Sequence, residues 1–105
     1  MSALDEGIDE FLAFCRVERR LSKNTLDAYS RDLAELARFL HDHGVDDPSG
    51  VTRALLTEYM AFLLDTGRGL RSAARHRVSY RQLFKFLVEE RHLSLIHISE
   101  PTRPY

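Results

Sequence analysis

The sequence predicts an all-α protein: a compact four-helix bundle followed by an irregular C-terminal tail. Two observations carry that prediction. Apolar side chains recur three and four residues apart in four separate segments, the spacing that gathers them on one face of a helix. No segment shows the two-residue alternation of a strand, and the breaks between segments are short and punctuated by Ser, Thr, Asp, Gly and Pro. The 105 residues suffice for one domain with one modest core.

The first helix is expected from about Ala3 to Arg20. Leu4, Ile8, Phe11, Leu12 and Cys15 form its apolar stripe. Asp5, Glu6, Asp9 and Glu10 near its start, and Arg16, Arg19 and Arg20 near its end, suit the helix dipole. Cys15 lies on the stripe and reads as a small core residue rather than a nucleophile.

The second helix opens within SKNTLDAYSRDL (22–33). Ser22 or Asn24 can cap it, because either side chain can accept a bond from an unpaired first-turn amide. Leu26, Tyr29, Leu33, Leu36, Ala37 and Leu40 continue as its stripe, and Gly44 permits a left-handed stop near His43. DDPSG (46–50) is turn chemistry.

The third helix spans about Thr52 to Thr66, with Thr52 as cap and Leu55, Leu56, Tyr59, Met60, Phe62 and Leu63 as apolar content. TGRG (66–69) ends it. The fourth runs from about Ser72 to Arg91, with Tyr80, Leu83, Phe84, Leu87 and Val88 as its stripe. Connections this short imply neighbouring helices packed as a bundle. Residues 1–92 are thus one domain. Residues 93–105, LSLIHISEPTRPY, have no helical period and carry two prolines. They are either a linker or, the preferred reading, out-of-frame or vector-derived sequence.

Hydrophobic residues make up 44% of the chain and charged residues 30%, as in ordinary globular proteins. No apolar run approaches the roughly 18 residues of a membrane span, and the acidic N-terminus lacks the pattern of a secretory signal. A single cysteine excludes an internal disulfide and favours a reducing, cytoplasmic setting.

The net charge of −1 conceals an asymmetry. Residues 1–66 carry 7 Lys/Arg against 13 Asp/Glu, and residues 67–105 carry 8 against 3. From Gly67 to Phe86 there are six basic residues and no acidic one. Exposed helices usually alternate sign, so this segment points to a polyanionic partner over a merely solvated face. Arg71, Arg75 and Gln82 share one helical face, with Ser72, His76 and Ser79 beside it. Arginine supplies charge to phosphates, while Gln, Ser and His can address base edges.

SKNT suggests a second anion site. A helix N-terminus offers unpaired N–H groups and partial positive charge. Ser22, Lys23, Asn24 and Thr25 add donors there, and Arg31 lies two turns on from Lys23. Lys23 and Arg75 are both expected to face solvent, so that replacing either weakens binding with little loss of stability. Catalytic motifs are missing: there is no glycine-rich phosphate loop, HExxH, CxxC or GxSxG. His41 and His43, two apart on a helix, point about 200° apart and cannot chelate one ion. Neither metal nor cofactor is expected.

These segments resemble a known family. LSKNTLDAYSRDLAELARFL (21–40) is similar to the hallmark of the N-terminal core-binding domain of Xer-type tyrosine recombinases, in the phage integrase family. Its elements are a leucine, a polar turn, Asn-Thr-Leu and an Ala-Tyr-x-x-Asp-Leu run. SAARHRVSYRQLFKFLVEER (72–91) resembles that domain's last long helix, and FLAFCRVERRLS (11–22) also fits. The resemblance covers about residues 4–92. It implies a SAM-like four-helix domain forming half of a clamp around double-stranded DNA, its second and fourth helices facing the major groove.

By position it places Lys23, Asn24, Thr25 and Arg31 on one contact helix. Arg71, Ser72, Arg75, Ser79, Gln82 and Lys85 fall on the other. Tyr29 matches a family position but reads first as packing. Arg77 departs from the family, standing where an apolar residue is usual; it either snorkels or shifts the helix start. The family's cleavage chemistry, a tyrosine nucleophile with an Arg/His/Lys set, belongs to a separate C-terminal domain that has no counterpart in this sequence. The chain is therefore expected to bind DNA without cutting it, as a monomer, whereas full-length family members act as tetramers on two DNA sites. The competing reading is a helical protein-interaction module that uses the acidic first half and binds no DNA.

Overall fold

The computed structural model of the protein describes residues 2–91. Among them lie four α-helices: α1 (Ala3–Val17), α2 (Lys23–Asp42), α3 (Arg53–Asp65) and α4 (Leu70–Arg91), with one 3-10 turn at Pro48–Gly50. The tail 93–105 falls outside the described residues.

Each helix of the first three begins at a side-chain cap. Ser2 accepts from the Asp5 amide at 3.1 Å, Ser22 from Thr25 at 3.2 Å, and Thr52 from Leu55 at 3.1 Å. Of the two candidate caps for α2, the structure selects Ser22. Asn24 therefore lies inside the first turn and is exposed. Gly44 (φ 79°) and Gly67 (φ 87°) adopt the left-handed backbone that ends α2 and α3, a conformation that costs a residue without Cβ nothing.

Two boundaries differ from expectation. α1 stops at Val17, three residues before Arg20, because the chain reverses through Arg20 in left-handed conformation (φ 52°). The reversal lets the Leu21 amide donate to the Cys15 carbonyl at 3.1 Å and places the Leu21 side chain against the core. α4 starts at Leu70, two residues before Ser72, so Arg71 and Ser72 belong to its first turn. Arg77 lies exposed on α4.

α2 and α4 form the central pair. α1 packs across both on one side, and α3 packs on both on the other. Phe11 and Phe14 of α1 meet Phe86 of α4 with ring centroids 5.6 and 5.0 Å apart, and Tyr29 of α2 closes that cluster at 5.6 Å from Phe11. A second cluster joins Phe39 of α2 to Tyr59 of α3 at 5.2 Å. Leu4, Cys15, Leu33, Leu40, Val51, Leu63 and Leu83 are fully buried between them. Burial raises the Cys15 thiol above its ordinary pKa, which suits an inert core residue.

Candidate nucleic-acid interface

The seam between α2 and α4 determines where the predicted site residues stand. Asp32 is 2% exposed, an unusual position for a carboxylate, and its partners all come from α4. Arg75 donates to it twice, Nε to Oδ2 at 3.1 Å and Nη2 to Oδ1 at 2.8 Å. The Ser79 hydroxyl donates to Oδ2 at 2.8 Å. His76 Nε2 lies 3.4 Å from Oδ1. One turn along, Arg68 grips both oxygens of Glu35. A buried carboxylate is tolerable only when its lone pairs are filled and a cation neutralises it, and Asp32 has both.

His76 extends the seam to α3, because the Tyr59 hydroxyl lies 3.2 Å from Nδ1. Burial holds His76 below the ordinary histidine pKa and Tyr59 above the ordinary phenol value. Both are neutral near pH 7. Arg68 Nη1 lies 3.4 Å from Nε2, and since a guanidinium can only donate, the matching tautomer carries its proton on Nδ1, which donates to the Tyr59 hydroxyl.

Two sequence expectations change here. Ser79 and His76, read as flanking an outward face, are 1% and 3% exposed and turn inward to α2. Arg75 was expected to be dispensable for stability, yet its guanidinium neutralises Asp32. The physical reason is the phase of α4: residues 76 and 79 are buried on the side packed against its neighbours, Arg75 stands at the edge of that side and reaches Asp32, and residues 71 and 85 are exposed.

The remaining predicted residues lie at or near the surface. Asn24 and Thr25 of α2 face Arg75 and Val78 of α4 across an open groove of about 280 Å3, with Ala28, Tyr29 and Asp32 also in its lining. The structure thus unites the first turn of α2 with α4, two stretches that the sequence holds some 50 residues apart. Arg31, Arg71 and Lys85 are exposed, and among the described residues no carboxylate lies within ion-pair distance of them. Ser72 is half-buried, and Gln82 accepts from Arg19 at 3.4 Å. Lys23 makes an exposed pair with Asp27 at 3.0 Å.

Asp32 is the residue that sequence reasoning passed over. Its signal was present: it stands three residues after Tyr29 and four before Leu36, inside an apolar stripe. His41 and His43 have local roles. His41 lies between Asp46 (2.7 Å) and Asp5 (3.4 Å), and His43 Nδ1 meets the Phe39 carbonyl at 2.8 Å.

The fold defines the class first: an all-helical domain whose second and fourth helices share a polar seam and an adjoining groove. The profile of the phage integrase N-terminal SAM-like domain matches residues 8–91, and the chain belongs to that family. It is 35% identical over 102 residues to a tyrosine recombinase XerD of Listeria monocytogenes, an alignment covering 93% of this chain and 34% of that protein. It is 32% identical over 85 residues to a tyrosine recombinase XerD of Staphylococcus aureus, covering 81% and 29%. The chain spans about a third of the length of these curated relatives. No solved structure matches it. Among the described residues no helix is long and apolar enough to cross a membrane.

Proposed function

We propose that the chain binds double-stranded DNA as the N-terminal domain of a cytoplasmic site-specific tyrosine recombinase, holding a recombination half-site through α2 and α4. The observation that carries this reading is the groove. It sets the exposed Asn24 and Thr25 at the start of α2 against Arg75 and Val78 of α4, a helix that also exposes Arg71 and Lys85. Side chains from two helices converge there on one ligand-sized concavity, and family membership supplies the polyanion.

In this reading Lys23, Arg31, Arg71 and Lys85 meet phosphates, while Asn24, Thr25, Arg75 and Gln82 lie nearest the bases. Ser72 stands at the edge of the contact, and Ser79 acts through Asp32. Strand cleavage and rejoining, and assembly as a tetramer on two sites, belong to the full-length recombinase. This chain alone is a monomer without cleavage activity.

A duplex titration at two salt concentrations tests the proposal. Binding is expected at about 50 mM salt and should weaken by orders of magnitude near 200 mM, because several phosphate contacts release counterions. Undetectable binding at the lower salt contradicts it. The rival reading is a protein-interaction module that uses the acidic first half of the chain. It predicts no duplex binding at any salt.

A further inference from the structure

We infer that Arg75 reads a guanine in the major groove, and that Asp32 and Ser79 are the residues that position it. The inference rests on the DNA-binding reading above and names what one residue of that face recognises. Arg75 meets Asp32 side-on, through Nε and Nη2. A guanidinium has five N–H groups, so this pairing engages two and leaves three. Two of those three, one on Nη1 and one on Nη2, form the end-on fork that matches guanine O6 and N7. Among the described residues, no acceptor lies within hydrogen-bond distance of Nη1. The Arg75 side chain is 51% exposed, so the fork can be reached from solvent.

The support behind the fork is rigid. Asp32 is buried, and the buried Ser79 hydroxyl fixes its Oδ2 at 2.8 Å. The guanidinium plane is therefore set before a ligand arrives, and less side-chain freedom is lost on binding.

A phosphate can also accept two N–H groups, and charge decides between the two ligands. The Arg75–Asp32 pair is neutral as a unit, and the Asp32 carboxylate repels a phosphate brought onto the fork. A base edge carries no charge to repel. The lining agrees, since Ala28, Tyr29 and Val78 beside Arg75 offer apolar surface suited to a base edge or a thymine methyl. Arg71 and Lys85, with no carboxylate of their own, are better placed to meet phosphates.

The test selects duplexes from a randomised pool on the full chain at about 50 mM salt, then replaces the selected guanine with 7-deazaguanine, which lacks N7. Wild type is expected to select guanine at one position. A bidentate contact discriminates by about 5- to 150-fold, and losing N7 should remove a large part of that preference. Arg75→Ala should still bind but lose the preference. Asp32→Asn leaves the Arg75 charge uncompensated, so sequence-independent binding should strengthen and its salt slope should steepen by up to about one phosphate, while the guanine preference falls. Ser79→Ala, a gentler change that circular dichroism can show to be folded, should lower the preference in the same direction.

The inference is overturned if Arg75→Ala weakens binding to every sequence alike and reduces the salt slope by about one, the signature of a phosphate contact. Wild-type binding without any selected guanine overturns this inference alone. Failure of wild type to bind any duplex removes the DNA-binding reading and this inference with it.

Discussion

Replacing Arg75 with alanine separates the structural account from a reading of Arg75 as a mere surface charge. The variant deletes both N–H donors to Asp32 and leaves that carboxylate, 2% exposed, with the Ser79 hydroxyl as its remaining hydrogen-bond donor. Breaking a fully buried ion pair by removing one partner costs about 3–5 kcal/mol. Arg75 itself is half-exposed and water can approach Asp32 through the groove, so about 1–3 kcal/mol is the appropriate range. In a domain of this size each kcal/mol lowers Tm by about 4–8 °C. Thermal unfolding should therefore show a loss of roughly 5–20 °C for Arg75→Ala. Lys23→Ala is the control. Its partner Asp27 is half-exposed and Lys23 is 87% exposed, a setting in which such pairs contribute at most about 0.5 kcal/mol. Its Tm should stay within about 3 °C of wild type. Equal Tm values for Arg75→Ala and wild type would refute the claim that Arg75 neutralises a buried carboxylate.

Acid should expose the state of His76. Its folded pKa is depressed by burial, so the unfolded chain takes up the proton first. The stability it provides is full above about pH 6.5, the ordinary histidine value, and is lost as pH falls through its folded value. His41 has the opposite sign. Hydrogen bonds to Asp46 and then Asp5 raise its pKa, so its contribution is present below about pH 6.5 and lost as pH rises through the folded value. Melting curves from about pH 5 to about pH 8 should show His76→Gln flattening the acid side and His41→Gln flattening the alkaline side. On the outer face, Arg71→Ala and Lys85→Ala should each reduce the salt slope of duplex binding by about one, weakening all sequences alike, with Tm nearly unchanged. A Tm loss like that of Arg75→Ala would show that these side chains support the fold instead.

Local structure was legible in the sequence where it depends on near neighbours. Ser22 and Thr52 cap their helices as side-chain chemistry requires, Gly44 and Gly67 stop them, and Leu33, Leu36 and Leu40 are buried by the spacing that named them. The end of α1 was not legible. Arg19 and Arg20 suit a helix dipole, but the helix ends before them and the chain reverses through Arg20, which brings Leu21 onto the core. The candidate site was half legible for the same reason. Outward charge on α4 follows from its own sequence, so Arg71 and Lys85 fall where expected. The inward turn of Ser79 and His76 depends on Asp32, 47 residues before Ser79, and no periodicity within α4 reveals it. A lone aspartate inside the apolar stripe of α2 was the available clue.

Residue-by-residue mapping of amide shifts on adding a short duplex at about 50 mM salt tests the central claim most directly. The account predicts perturbations concentrated at residues 22–31 and 68–85, on the α2 start and the outer face of α4, and little change along α3. Shifts confined to α1 or α3, or none at all, would contradict it.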